Sequence, residues 1–162
     1  MPDFIIRLCQ SSDLPRLREI TVEAFQDVSI DRVIEQTLQI PCQLDWKQNK
    51  WRHIEEDLAK QPDGVFVAVV DQQVAGYITT RIDVKSGIGR IPNLAVDASF
   101  RGRGIGRALL EHALQFFRAQ GLLQARIETL AQNPVGPRLY PALGFQEVTR
   151  QIHYCLDLET KR

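Results

Sequence analysis

The 162-residue sequence predicts a mixed α/β fold, with one central sheet of six to seven strands and helices on both faces. Three observations predict it. Short runs rich in β-branched residues recur at 65–70, 74–84, 91–96 and 124–130. A stretch with apolar residues at helical spacing, 104–120, separates the last two of these runs. A second helical pattern follows a short apolar strand at the start of the chain.

Residues 4–8 read as the first strand. Ser11, Ser12 and Asp13 offer helix caps, and Leu14, Leu17, Ile20, Val22, Ala24 and Phe25 follow at mostly helical spacing. Pro15 is tolerated in the first turn, where its missing N–H costs nothing. Residues 31–40 predict a short helix ended by Pro41, and 46–59 another closed by Pro62, Asp63 and Gly64. Strands at 65–70 and 74–84 form a hairpin around Asp71, Gln72 and Gln73. After a turn at 86–89 comes the strand at 91–96. The helix 104–120 carries Ile105, Leu109, Ala113 and Phe116/Phe117 along one face and stops at Gly121. A strand at 124–130 is followed by a broken helix at 135–143. Residues 145–150 and 152–158 predict a final antiparallel pair. No repeat, low-complexity tract or flexible linker divides the chain, so one domain is expected over 1–162.

Composition limits the function. The apolar fraction is 44% and the charged fraction 25%, ordinary for a globular protein. Lys+Arg and Asp+Glu are equal at 20 each, which argues against a nucleic-acid partner. A local basic patch for a small anion remains compatible with that balance. Cys9, Cys42 and Cys155 have no ligand or redox spacing and read as buried, inert thiols in a reducing compartment. The first ten residues lack a long apolar core, and no run approaches 18 apolar residues. A cytoplasmic protein without a membrane span is the expectation.

The strongest signal is Arg101-Gly102-Arg103-Gly104-Ile105-Gly106, placed between a strand and a long helix. Glycines there let backbone approach a ligand. Free N–H groups of the first helical turn and the positive end of the helix dipole attract an anion. Arg101, Arg103 and Arg107 add charge and paired donors for phosphate oxygens. A dinucleotide fingerprint is excluded, because Arg107 stands where a third glycine is needed. A phosphate-binding Gly-Lys-Ser/Thr loop is absent. Read alone, the segment also fits a turn that merely packs the helix on the sheet.

Beside these residues, the chain resembles the GNAT superfamily of acetyl-CoA-dependent N-acetyltransferases. Arg101-x-x-Gly104-x-Gly106 matches that family's loop, and Asn93-Leu94-Ala95-Val96-Asp97 its preceding strand. Asn133-x6-Tyr140-x3-Gly144-Phe145 matches its second signature at the usual distance. The resemblance covers roughly 91–148 and implies a mixed, mostly antiparallel sheet. It implies that Leu94, Ala95 and Val96 flank the pantetheine arm, and that Arg101, Gly102, Arg103, Gly104, Ile105, Gly106 and Arg107 hold the pyrophosphate. Asn133 would contact the pantetheine or fix the next helix. Tyr140 would be the general acid at the thioester sulfur. Gly136 replaces the family's usual alanine, and Pro134, Pro137 and Pro141 crowd the segment, so a short or irregular helix is expected there.

Transfer requires an amine to lose a proton and a thiolate to gain one. By the resemblance, Glu128 is the preferred base; the bland alternative is a strand glutamate paired with a neighbouring arginine. Tyr140 has a core-packing alternative, and Asn133 a capping one. His53, His112 and His153 are scattered, with no metal-ligand spacing, and no metal is expected. Trp46 and Trp51 read as core, and Glu55-Glu56-Asp57 as a solvated helix face that is also able to hold a cationic amine. The leading reading is acetyl transfer from acetyl-CoA to a primary amine, with a small-molecule acceptor ahead of a peptide or protein N-terminus. A non-catalytic acyl-CoA-binding module is the alternative from another class. The resemblance leaves a homodimer open.

Overall fold

A computed structural model describes residues 3–40 and 42–159. Five strands form one sheet in the order β1 (Ile5–Leu8), β2 (Val65–Val70), β3 (Gln73–Asp83), β4 (Ile88–Val96) and β5 (Gln124–Ile127). The first three pairings are antiparallel and β4–β5 is parallel. The β2–β3 hairpin turns on Asp71 and Gln72, both at positive φ (45° and 68°), which matches the right-handed twist of the paired strands.

The helices divide between the faces. α1 (Leu14–Ala24) and α3 (Trp46–Lys60) cover one face, where Leu17, Ile20, Trp51 and Ile54 pack against Val67, Val74, Tyr77 and Ala95. α4 (Ile105–Ala119) covers the other, where Ile105, Leu109, Ala113 and Phe117 meet Phe66, Ala68, Ile78 and Ile91. α2 (Ile30–Leu38) packs on α3, and α5 (Gly136–Ala142) follows β5. Asp45 caps α3 by accepting from Gln48 N (2.8 Å), while the Gln48 side chain accepts from Asp45 N (3.1 Å). Both tryptophans are buried, as expected. Pro41, the expected stop for the second helix, lies outside the described residues; α2 ends instead through Gln39 at φ 53°.

Three expectations need correction. The sheet has five strands among the described residues, not six to seven: residues 145–150 and 152–158 do not pair, and β5 stops at Ile127 because β4 diverges from it beyond Ile91. Cys42 and Cys155 are exposed, since one lies between helices and the other beyond the last element. Only Cys9 is partly buried, which raises its thiol to about 11. Finally, Asp57 does not belong to a solvated face. It is 1% exposed, because it sits three positions after Ile54 and so shares the inward side of α3.

Candidate active site

The register of β3 and β4 decides what the middle of the sheet presents. Gly76 faces Val96, Tyr77 faces Ala95, Ile78 faces Leu94 and Thr79 faces Asn93. Asp97 N donates to Ala75 O at 2.9 Å. In an antiparallel ladder bonded and non-bonded pairs alternate, so Ala95 and Asn93 turn their N–H and C=O toward β3. Leu94 and Val96 turn theirs the other way. Among the described residues no strand lies there, because β4–β5 pairing covers only Ile88–Gln124 to Ile91–Ile127. The result is an open backbone edge at Leu94 and Val96 in the middle of a sheet.

That edge leads straight to the glycine loop. Gly102 and Gly104 both have φ +78°, a conformation that side chains with a Cβ rarely adopt, and a Cβ built on either meets nothing within 4 Å. The loop is exposed, and Gly104 is the N-cap of α4. Its backbone N–H groups therefore front open space at the positive end of a 15-residue helix. Gly106 is different: an added Cβ meets Val96 Cγ2 and Leu139 Cδ2 at ordinary contact distances of 3.7 and 3.9 Å. Ile105 points inward and is buried in the core, so only its backbone is offered to the loop. Arg101 donates to Val96 O (3.2 Å), Arg103 lies over the Phe100 ring (5.3 Å) and Arg107 pairs with Glu111 (2.9 Å).

Beyond β5, Thr129 joins two of the residues predicted from sequence. Its Oγ1 accepts from Asn133 Nδ2 at 2.8 Å, and its side chain lies beside Tyr140 and pulls the tyrosine hydroxyl down. Asn133 Oδ1 also accepts from Val135 N, the residue before α5. Its amide thus ties Thr129 to the residue before α5, but it does not cap the helix: Val135 is the N-cap and has no side-chain cap bond. Tyr140 is partly buried, and burial holds its hydroxyl above the ordinary value against the opposing pull of Thr129. The ring stands edge-on to Phe145 (6.1 Å). Gly136 is what admits it: a Cβ there falls 2.9 Å from Tyr140 Cε2 and 3.0 Å from Thr129 Cγ2. Thr129 and the need for glycine at 136 carried no signal legible in the sequence.

On the opposite face of β4 and β5 a cleft of about 290 Å³ is lined by Arg81, Arg90, Ile91, Pro92, Arg126 and Glu128. Glu128 lines the cleft, is 84% exposed and lies 3.7 Å from Arg90, contacts that do not separate its two expected roles. Arg126 donates to Gln124 Oε1. Arg81 pairs with buried Asp57, which also accepts from Asn93 Nδ2 (2.7 Å) and Thr79 Oγ1 (3.3 Å). Lys50 Nζ donates to Asn93 Oδ1 (2.7 Å) and lies 4.0 Å from the Phe25 ring centroid. Burial pulls Lys50 down to about 8 against the attraction of Asp57 and Asp31. Lys50, Asp57, Arg81 and Asn93 thus form one partly buried network that meets the cleft at Arg81, which the sequence reading missed. Among the described residues there is no group of His, Cys, Asp and Glu able to hold a metal, and no helix long and apolar enough to cross a membrane. His112 instead packs its ring 4.4 Å from that of Phe66.

An open strand edge feeding a left-handed glycine loop at a helix N-terminus defines a class of site for a phosphate-bearing ligand with an extended arm. Residues 15–145 match the model of the Acetyltransferase (GNAT) family, and the chain belongs to that family. It is 32% identical to N-acetylaspartate synthetase of Rattus norvegicus over 64% of this chain and 35% of the relative. It is 33% identical to [ribosomal protein bS18]-alanine N-acetyltransferase of Salmonella typhimurium over 52% of this chain and 55% of the relative. The chain therefore spans about a third to a half of the length of these relatives. Its fold is similar to that of the PaiA N-acetyltransferase of Thermoplasma acidophilum, solved with coenzyme A (TM-score 0.69, 20% identity, 88% of this chain and 89% of that one).

Proposed function

We propose that the protein transfers an acetyl group from acetyl-CoA to the primary amine of a small acceptor that also carries a carboxylate. The observation that carries the donor half is the open edge at Leu94 and Val96 running into Gly102 and Gly104, whose surroundings leave room for a ligand against the backbone. These features fit CoA. The edge would take the pantetheine amides as an added strand, and the N–H groups of 102–107, with Arg101, Arg103 and Arg107, would hold the pyrophosphate.

Bound acetyl-CoA supplies an activated acyl carbon. Overall, R–NH2 and CH3CO–S–CoA give R–NH–COCH3 and HS–CoA: an N–C bond forms, a C–S bond breaks, and one proton moves from nitrogen to sulfur. Tyr140 is the donor of the proton that reaches sulfur. With its hydroxyl raised above about 10, the reference value for tyrosine, it stays protonated at neutral pH. The Val96 N–H is positioned on the open edge to stabilise negative charge on the carbonyl oxygen. Glu128, on the wall of the cleft, passes the amine proton to solvent.

The cleft supports the acceptor half. Three arginines against one glutamate line it, and Arg126 has only a neutral partner among the contacts described. A carboxylate beside the acceptor amine complements that charge. A peptide N-terminus is the second reading, favoured by Glu128 at the cleft and by the bS18-alanine relative.

The test is thiol release from acetyl-CoA with aspartate, glutamate, their α-carboxamides, which lack the carboxylate beside the amine, and a short peptide beginning with alanine. The free acids should lead by about tenfold in kcat/KM, roughly one charged hydrogen bond's worth. Arg126→Gln should remove that preference by raising KM. A lead for the peptide selects the second reading. Absence of thiol with every acceptor, with CoA still bound, leaves the non-catalytic module.

A further inference from the structure

Strand register lines up the three arginines of the cleft. Arg81 of β3 stands opposite Arg90 of β4, and Arg90 stands opposite Arg126 of β5. All three line one cleft, so they form a row across three adjacent strands. Neighbouring strands lie about 4.8 Å apart, and like charges opposed at that spacing destabilise a sheet. The chain has 20 basic and 20 acidic residues, so general basicity does not account for the row. Its charge is only partly answered by the protein. Arg81 gives Nε and Nη2 to one oxygen of buried Asp57, whose other oxygen is held by Asn93 and Thr79. Its Nη1 has no partner among the described residues. Arg90 meets Glu128 at 3.7 Å, longer than a hydrogen bond. Arg126 donates to Gln124 Oε1, a neutral acceptor.

We infer that the row is a site for two anions, and that the acceptor amine carries two carboxylates. Arg126 takes the carboxylate beside the amine; Arg81 and Arg90 take the second. This rests on the acetyl-transfer reading above and narrows its acceptor to a dicarboxylic amine. Each guanidinium offers paired donors that match a carboxylate. Asp57 fixes Arg81 in place, so less side-chain freedom is lost when an anion binds there. The ends of the row lie two strand spacings apart, about 9.6 Å, which leaves room between them for a short dicarboxylate. The volume of about 290 Å³ lies at the small end for ligand sites and suits a single amino acid. The cleft also runs on to the donor edge: Ile91 and Pro92 line it, and Leu94, two residues further, opens the free edge. With both carboxylates held by the row, the amine is left for that edge.

Titration calorimetry on the CoA-loaded chain tests the row without turnover. Succinate should bind about tenfold or more tighter than butyrate, roughly one added charged hydrogen bond. Thiol release adds a second readout with asparagine and glutamine, which keep the carboxylate beside the amine and lose the other. Aspartate and glutamate should lead them by about tenfold, carried by KM. Arg90→Gln removes a half-exposed side chain and should erase both preferences. Arg118→Gln, which removes the same charge from the exposed last turn of α4, should erase neither. Equal binding of succinate and butyrate overturns the inference, as do preferences that survive Arg90→Gln. If asparagine matches aspartate while both outpace the α-carboxamides, acetyl transfer stands and the two-anion site falls. If succinate binds selectively and no amine is acetylated, the site stands and the acetyl-transfer reading falls.

Discussion

The two halves of the proposed site are built from different materials. The donor half is made of backbone: an open strand edge at Leu94 and Val96, two left-handed glycines and a helix N-terminus. The acceptor half is made of side chains drawn from four segments. Arg81 from β3, Arg90 from β4 and Arg126 from β5 line its cleft, and Lys50 and Asp57 from α3 with Asn93 from β4 form the network that holds Arg81. A backbone site is fixed by local conformation and withstands most side-chain changes away from its glycines. A side-chain network depends on each member, because removing one leaves a buried charge or polar group uncompensated.

That difference sets the expected effects, from largest to smallest. Asp57→Ala strands Arg81 and Asn93 and should cost about 3 kcal/mol of folding stability, at the low end for breaking a buried ion pair. Urea unfolding measures it, and a cost below about 1 kcal/mol means the network is not a structural unit. Tyr140→Phe keeps the ring but removes the hydroxyl proposed as the proton donor. It should lower kcat by about 10²-fold in the thiol assay, in the range for general acid catalysis, with CoA affinity unchanged. An unchanged kcat assigns Tyr140 to packing alone. Gly136→Ala pushes a methyl against the Tyr140 ring and the Thr129 methyl. A loss of about 1–2 kcal/mol is expected, as for overpacking elsewhere.

A further effect is on pH dependence. Lys50 is held at about 8 by burial, below its unfolded value near 10.5. A depressed folded value means that the unfolded chain binds the proton more tightly. The stabilising contribution is therefore full above the unfolded value and is lost as pH falls from about 10.5 through about 8. The melting temperature of the wild type should rise relative to Lys50→Met over that window. Parallel curves would mean that Lys50 titrates as a solvated lysine.

The same division explains what was legible in the sequence. The hairpin, α4 and the loop were readable because periodicity and glycine spacing are local. Arg101, Gly104 and Gly106 sit at fixed offsets, and Asn133 and Tyr140 follow at a set distance. The cleft was not readable. Asp57 looked like part of an acidic surface run, and only the packing of Ile54 shows that it faces inward. Glu128 was legible as a candidate, but its pairing with Arg90 depends on the β4–β5 register. The last two strands failed for another reason. The alternation after Val148 is real, but alternation alone does not make a strand, and among the described residues the segment pairs with none.

The central claim is that backbone freed by glycine makes the donor site, and titration calorimetry of CoA tests it most directly. Gly104→Val forces a β-branched side chain into a left-handed position at the mouth of the α4 N-terminus. CoA affinity should fall by about 100-fold or more, about 2.7 kcal/mol, while Gly106→Ala, which meets only ordinary contacts, should bind CoA nearly as the wild type does. Equal CoA affinity in the wild type and Gly104→Val would contradict the account.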